Sequence, residues 1–285
     1  MLVYECLTVK GKINCFNARV DKNIGILGQR DSGKEEIVKA TFRLSKAEGK
    51  ISLDDVNILQ LGIEEFREIL WRKISWLKYN HYEMFDPIYD IASHFVEIVV
   101  SHNIGNADYA IDLAKEALRI VGEKEEVLTM YPNQLSPLRL KKVALALSIF
   151  TEPDYVFVED IEYGLSELGR IYIVNSLIDV MNVLSSKFII LDNDPAVLSR
   201  LSDYFYVIYK GYIVEEGIDV IRNPYHPYTI DLISGEIKET NVIGKGCVYS
   251  SQCRFKSIKC ENGEPNTFKY EGGVVKCNLY PWKSQ

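Results

Sequence analysis

Residues 23–40 read NIGILGQRDSGKEEIVKA, and this stretch limits the choice of fold more than any other in the chain. NIGIL suits a buried strand, and GKEEIVKATFRLS after it suits a helix. Between them lies a turn bounded by Gly28 and Gly33. A buried strand that feeds a helix through a tight turn is half of a crossover unit, the connection on which parallel sheets are built. The turn carries a second signal. Gly28, Gln29, Arg30, Asp31, Ser32, Gly33 and Lys34 follow G-x-x-x-x-G-K-[ST] up to its last position, where Glu35 replaces the hydroxyl. In such a turn the backbone N–H groups and the helix N-terminus cradle phosphates, and Lys34 would reach the β and γ groups. The same residues also suit a plain corner whose glycines are there for steric reasons.

Downstream, strand-like and helix-like stretches alternate. GKISLDDVNI and ISWLKY read as strands, separated by the helical IEEFREILWRK. Residues 88–150 hold three helical patterns, IYDIASHFVEIVVSH, NADYAIDLAKEALRIVG and LSPLRLKKVALALSIF. DYVFVED, a helix near 167–184 and KFIILDND resume the alternation, and YFYVIYKGYIVEEG reads as a hairpin turning at Lys210-Gly211. The expectation is an α/β core over 1–222 with a helical subdomain at about 80–150. From Asn223 the texture changes to Pro, Gly and Cys, so a small Cys-rich extension is expected over 223–285.

Composition narrows the partners. With 47% hydrophobic and 26% charged residues the chain can bury a sizeable core. A formal charge of −7 argues against nucleic acid or an anionic membrane surface as the main partner. No apolar run approaches the ~18 residues a membrane span needs. MLVYECLTVKGK lacks a signal-peptide layout, so a soluble cytoplasmic chain is expected. His81, His94 and His102 show no metal-ligand spacing and read as structural.

Cys6 and Cys15 stand alone near the start, whereas Cys247, Cys253, Cys260 and Cys277 crowd the end. In a reducing compartment the latter read as a metal site rather than a disulfide frame. Their spacing, C-x5-C-x6-C-x16-C, lacks the close pairs of zinc ribbons and suits an iron–sulfur cluster at least as well. Zinc and unligated, redox-sensitive thiols stay open as alternatives.

Several longer stretches carry a family resemblance. YPNQLSPLRLKKVALALSIFTEPDYVFVEDIEYGLS resembles the signature helix and Walker B strand of ABC-transporter ATP-binding subunits. KFIILDNDPAVLSRLSDYFYVIYKGYIVEEG is similar to the family's switch segment and closing hairpin. NPYHPYT and the final cysteine run resemble the C-terminal extension of oligopeptide and dipeptide importer ATPases. The resemblance implies a P-loop NTPase (ABC ATPase) core and a head-to-tail pairing with a second ATPase chain. It also implies two transmembrane permease subunits, a solute-binding protein in the same system, and a place on the cytoplasmic face of the membrane. The segment beginning YNHYEMFDPIYD is where the family docks its membrane partner. The resemblance further implies a four-iron (4Fe-4S) cluster on Cys247, Cys253, Cys260 and Cys277.

Carried over residue by residue, the family's catalytic groups are mostly replaced. The magnesium-binding hydroxyl is Glu35, and the glutamine that senses magnesium and water falls at Tyr79. The signature L-S-G-G-Q reads Leu135-Ser136-Pro137-Leu138-Arg139. The Walker B Asp-Glu pair is inverted to Glu159-Asp160, and the switch histidine falls at Asn193. Asp160 is one methylene short of the usual base, and base catalysis depends on hydrogen-bond reach. Asn193 can donate a hydrogen bond but cannot shuttle a proton. Pro137 removes a backbone donor, and Leu138 adds a side chain where backbone must approach a phosphate. ATP and Mg binding is therefore expected to be weakened, and hydrolysis by this chain alone poor or absent. Two other classes stay open: an active ATPase with Glu35 as a direct magnesium ligand, and a non-transport iron–sulfur regulatory protein on an ABC scaffold.

Overall fold

The computed structural model describes residues 1–237 and 246–280. The chain opens with β1 (Leu2–Val9), β2 (Ile13–Val20), β3 (Ile24–Leu27) and α1 (Lys34–Thr41). It continues through β4 (Glu48–Leu53), β5 (Val56–Asn57), α2 (Ile63–Ile69) and β6 (Ile74–Leu77). Three helices follow, α3 (Ile91–Ser101), α4 (Ala107–Ile120) and α5 (Pro137–Ile149). Then come β7 (Tyr155–Glu159), α6 (Glu167–Val183), β8 (Lys187–Asp192) and α7 (Pro195–Leu201). The chain closes with β9 (Tyr204–Tyr209), β10 (Tyr212–Gly217), α8 (Pro227–Ser234), β11 (Thr267–Tyr270) and β12 (Gly273–Lys276). These elements form two compact units, Met1–Gln60 with Ile190–Gln285, and Leu61–Ile189.

In the first unit, β2, β1, β4 and β5 make an antiparallel sheet, in register at Leu2↔Val20 and Leu2↔Leu53. A second sheet in this unit runs β11-β12-β10-β9-β3. Strand β3 is buried at all four positions and parallel to β9, with Ile24 opposite Tyr204. A strand hidden on both faces is what a short, wholly apolar run makes. The β9–β10 hairpin turns at Lys210-Gly211, as its sequence indicated. Gly211 sits at φ +85, and an added Cβ would lie 2.4 Å from the Lys12 carbonyl oxygen, so only glycine fits. The final hairpin attaches to the edge of β10, with Glu215 opposite Val275.

One disulfide joins Cys6 to Cys15, two residues that the sequence presented as isolated. Register shifts between Tyr4 and Leu7 bring the two positions together across the β1–β2 pair, with Cα atoms 3.9 Å apart. An irregular stretch of ladder is where spacing along the chain stops indicating which residues face each other.

In the second unit, β6 and β7 pair in parallel, Ile74 opposite Tyr155. Helices α3, α4 and α5 stand where the three helical patterns lie, and each is N-capped by a side chain, from Asp90, Asn106 and Ser136 respectively. His94 and His102 are structural as expected: the ring nitrogens of His94 meet Asp86 N–H and the Asp90 carbonyl, each at 2.8 Å, and His102 meets the Arg67 carbonyl at 2.9 Å. Burial beside the Lys141 charge pushes the His81 imidazole down to about 4, so it is neutral at physiological pH. Among the described residues, no helix is long and apolar enough to cross a membrane.

Candidate nucleotide site

The glycine-bounded turn leaves β3 and enters α1 in the geometry its sequence requires. An added Cβ at Gly28 would lie 2.6 Å from Ser32 Oγ and 2.7 Å from the Ile208 carbonyl oxygen. Gly33 sits at φ +102, where an added Cβ would meet the Lys12 carbonyl oxygen at 2.3 Å. Both positions therefore need glycine for the backbone alone. The loop is anchored at three points: Gly28 N–H to the Asp192 carbonyl at 3.4 Å, Ser32 N–H to the Gln29 carbonyl at 3.1 Å, and Gly211 N–H to the Ser32 carbonyl at 2.7 Å.

Lys34 decides the character of the loop. Its side chain is 2% exposed and its Nζ donates to Glu35 Oε1 at 2.8 Å. A second, longer contact runs to the Gln29 carbonyl at 3.4 Å. The cation that a phosphate loop aims at its ligand is here held by the carboxylate that replaces the hydroxyl. Burying an ammonium requires a charge partner, and Glu35 supplies one from the next residue. Beside the loop opens a pocket of 660 Å³, lined by Lys10, Lys12, Lys46 and Lys210 with one acid, Glu48. This concentration of cations stands out in a chain of net charge −7.

Asn193, in the same unit, follows β8 and is exposed. Its N–H and that of Asp194 donate to the buried Asp192 carboxylate at 2.8 and 2.9 Å. Sequence reading passed over Asp192, which shapes this turn.

The remaining site positions lie in the second unit. Glu159 ends the fully buried β7 and accepts from Trp76 Nε1 at 3.0 Å. Asp160 follows at φ 37, in the left-handed region. Tyr79 is 42% exposed, packs edge-on against Tyr163 at 5.1 Å, and offers its carbonyl to Lys141 Nζ at 2.9 Å. Lys141 is wholly buried, and its role was not legible in the sequence. Leu135 is buried. Ser136 is spent on the helix, its Oγ accepting from Arg139 N–H at 3.4 Å. Arg139, expected at the position of the signature glutamine, is engaged by Glu123 at 3.1 Å and Glu126 at 3.8 Å.

The four C-terminal cysteines carry free thiols, three of them buried and Cys253 partly so. Cys247 N–H donates to the Cys260 carbonyl at 2.8 Å, which joins two of the cysteine loops. Burial, reinforced by the charges of Cys247, Cys253 and Cys260, pushes the Cys277 thiol up to about 12. Four thiols within one another's field are the donor set of a cysteine-ligated cluster. As placed, they do not close a shell: among the described residues no group of three or more His, Cys, Asp or Glu is positioned to hold a metal ion.

Known proteins share this fold. A bacterial ABC transporter cassette solved as a dimer superposes with TM-score 0.65 at 18% identity, over 76% of this chain and 97% of that one. cbiO1 from Clostridium perfringens, part of the ABC transporter complex cbiONQ, superposes with TM-score 0.64 at 20% identity, over 77% and 88% of the two chains. The chain has the mixed α/β, P-loop NTPase-like fold of these ABC transporter cassettes. In sequence it is a relative of dipeptide and oligopeptide transport ATP-binding proteins. The dipeptide transport ATP-binding protein DppD of Caldanaerobacter subterraneus is 27% identical over 281 residues, 90% of this chain and 86% of the relative. The oligopeptide transport ATP-binding protein AppD of Bacillus subtilis is 22% identical over 292 residues, 93% and 89% of the two. No family model matches the chain.

Proposed function

We propose that the chain is a nucleotide-binding subunit of an ABC importer for peptides or related solutes, degenerate in its catalytic motifs and paired with a second, competent ATPase chain. It works at the cytoplasmic face of the membrane, attached to two permease subunits and served by a solute-binding protein. The relatives named above, transport ATP-binding proteins for dipeptides and oligopeptides, support the transport part of this reading. The degenerate part rests on one observation: Glu35 already holds the buried Lys34 ammonium. A subunit whose own loop is filled in this way contributes docking surface, and turnover falls to its partner.

The reading is tested on the chain as it exists in its host. Tagged protein recovered from mildly solubilised membranes should carry with it a second ATPase chain with an intact G-x-x-x-x-G-K-[ST] loop, together with two integral membrane proteins. Recovery of this chain alone from both the soluble and the membrane fraction would sink the proposal.

The division into a cassette over 1–222 and an extension over 223–285 is part of the same reading. We assign the four cysteines of that extension to a 4Fe-4S cluster with a structural role. Four free thiols close enough to act on one another's ionisation support this. Protein purified without oxygen should be brown and contain close to four irons per chain, an expectation that follows from cubane ligation by four thiolates. Cys253→Ser should remove the colour. Colourless protein with one zinc per chain would replace the cluster with a structural zinc, and metal-free protein would remove the site.

A further inference from the structure

A hydroxyl from outside the loop also holds the phosphate loop. Gln29 N–H donates to Tyr228 Oη at 3.2 Å, a bond between residues 199 positions apart. Tyr228 lies in the first turn of α8 and is wholly buried. Its backbone is fixed in turn: Tyr228 N–H donates to His226 Nδ1 at 3.1 Å, and Tyr225 and His226 N–H donate to the buried Glu215 carboxylate at 2.7 and 2.9 Å. The Tyr228 ring packs between two others, with centroids 4.5 Å from Tyr209 and 5.4 Å from Tyr249.

The packing extends to the cysteine-rich segment. Tyr249 and Gln252 lie between Cys247 and Cys253 in sequence. Tyr249 Oη donates to Asp231 at 2.6 Å, and Gln252 Nε2 donates to Tyr209 Oη at 3.0 Å. A continuous set of buried rings and hydrogen bonds therefore runs from the Cys247–Cys253 turn to the peptide between Gly28 and Gln29. Contiguity alone does not establish coupling, and the chemistry adds a specific reason. A loop built for anion binding has N–H groups that must be held in one orientation without a ligand, and a buried hydroxyl with a fixed ring can hold one of them.

We propose that Tyr228 is a positioning residue for the phosphate loop, fixing the Gly28–Gln29 peptide through its hydroxyl, and that the Cys247–Cys253 turn steadies Tyr228 through Tyr249, Gln252 and Tyr209. The contact acts on the loop whether or not ATP binds there, so it stands apart from the transport reading. Amide-resolved hydrogen exchange of the full chain, without nucleotide, tests it. In the native protein the Gln29 amide should be protected. Tyr228→Phe keeps the ring and removes only the hydroxyl, so exchange at Gln29 should rise roughly fivefold, as expected for losing one hydrogen bond of about 1 kcal/mol. The melting temperature should change little. Gln252→Leu should speed the same amide by a smaller factor and leave β1 and β2 amides unchanged. An unprotected Gln29 amide in the native protein, or one whose rate is the same in Tyr228→Phe, would overturn the role of Tyr228. An unchanged rate in Gln252→Leu would remove the link to the cysteine turn.

Discussion

Replacing Glu35 by Ser or Thr is expected to tighten Mg-ATP binding by an order of magnitude or more. Two effects act in the same direction. The native carboxylate holds the Lys34 ammonium at 2.8 Å, so a phosphate must displace it to gain that cation. A carboxylate left in the loop also repels the ligand. Two unit charges about 4 Å apart repel by roughly 4 kcal/mol at an effective dielectric of 20. That figure is an upper bound here, because Glu35 is 31% exposed and water and magnesium screen the pair. A hydroxyl at the same position removes both effects and restores a magnesium ligand of the usual type. Titration of native protein, Glu35→Ser and Glu35→Ala at one salt concentration separates the contributions. Glu35→Ala should recover the part due to charge, and Glu35→Ser should add the part due to the hydroxyl. Equal affinities for all three proteins would mean that Glu35 does not control the site.

How much of this was legible in the sequence depends on how local the cause is. The β3–α1 corner follows from a four-residue buried strand and two glycines, and the Lys34–Glu35 pair joins adjacent residues. The β9–β10 turn was marked by Lys210-Gly211, because only glycine tolerates the contact made there. The N-terminal sheet was harder to read. The burial of β1 does not alternate cleanly, since the ladder shifts register between Tyr4 and Leu7, and this irregularity also hid the Cys6–Cys15 bond. The pairing of β12 with β10 came from no pattern, because a four-residue strand is too short to show a period. Tyr228 beneath the loop and Lys141 beneath Tyr79 were invisible for another reason. Each is an ordinary residue in its own element and gains its role from a partner 199 or 62 positions away. Cysteine spacing suggested a metal site, whereas the thiols as placed converge without forming a ligand shell.

Turnover tests the proposal that this chain does not hydrolyse ATP by itself. In this proposal the groups that would act on water and the γ phosphate are each replaced or occupied. In the proposed reading Tyr79 stands for the water-sensing glutamine, Asp160 for the longer base and Asn193 for the switch histidine. Arg139 is held by Glu123 and Glu126. General acid–base catalysis by one positioned side chain contributes about 10²–10⁴ in rate, so losing the base and the switch together leaves little above background. The deciding measurement is steady-state ATP hydrolysis by the purified chain beside its Lys34→Ala variant, which lacks the phosphate-loop cation. The two rates should coincide at every ATP concentration. Turnover of roughly 1 s⁻¹ or more, at the low end of ordinary enzyme rates, that disappears in Lys34→Ala would contradict it and point to an active ATPase in which Glu35 binds magnesium directly.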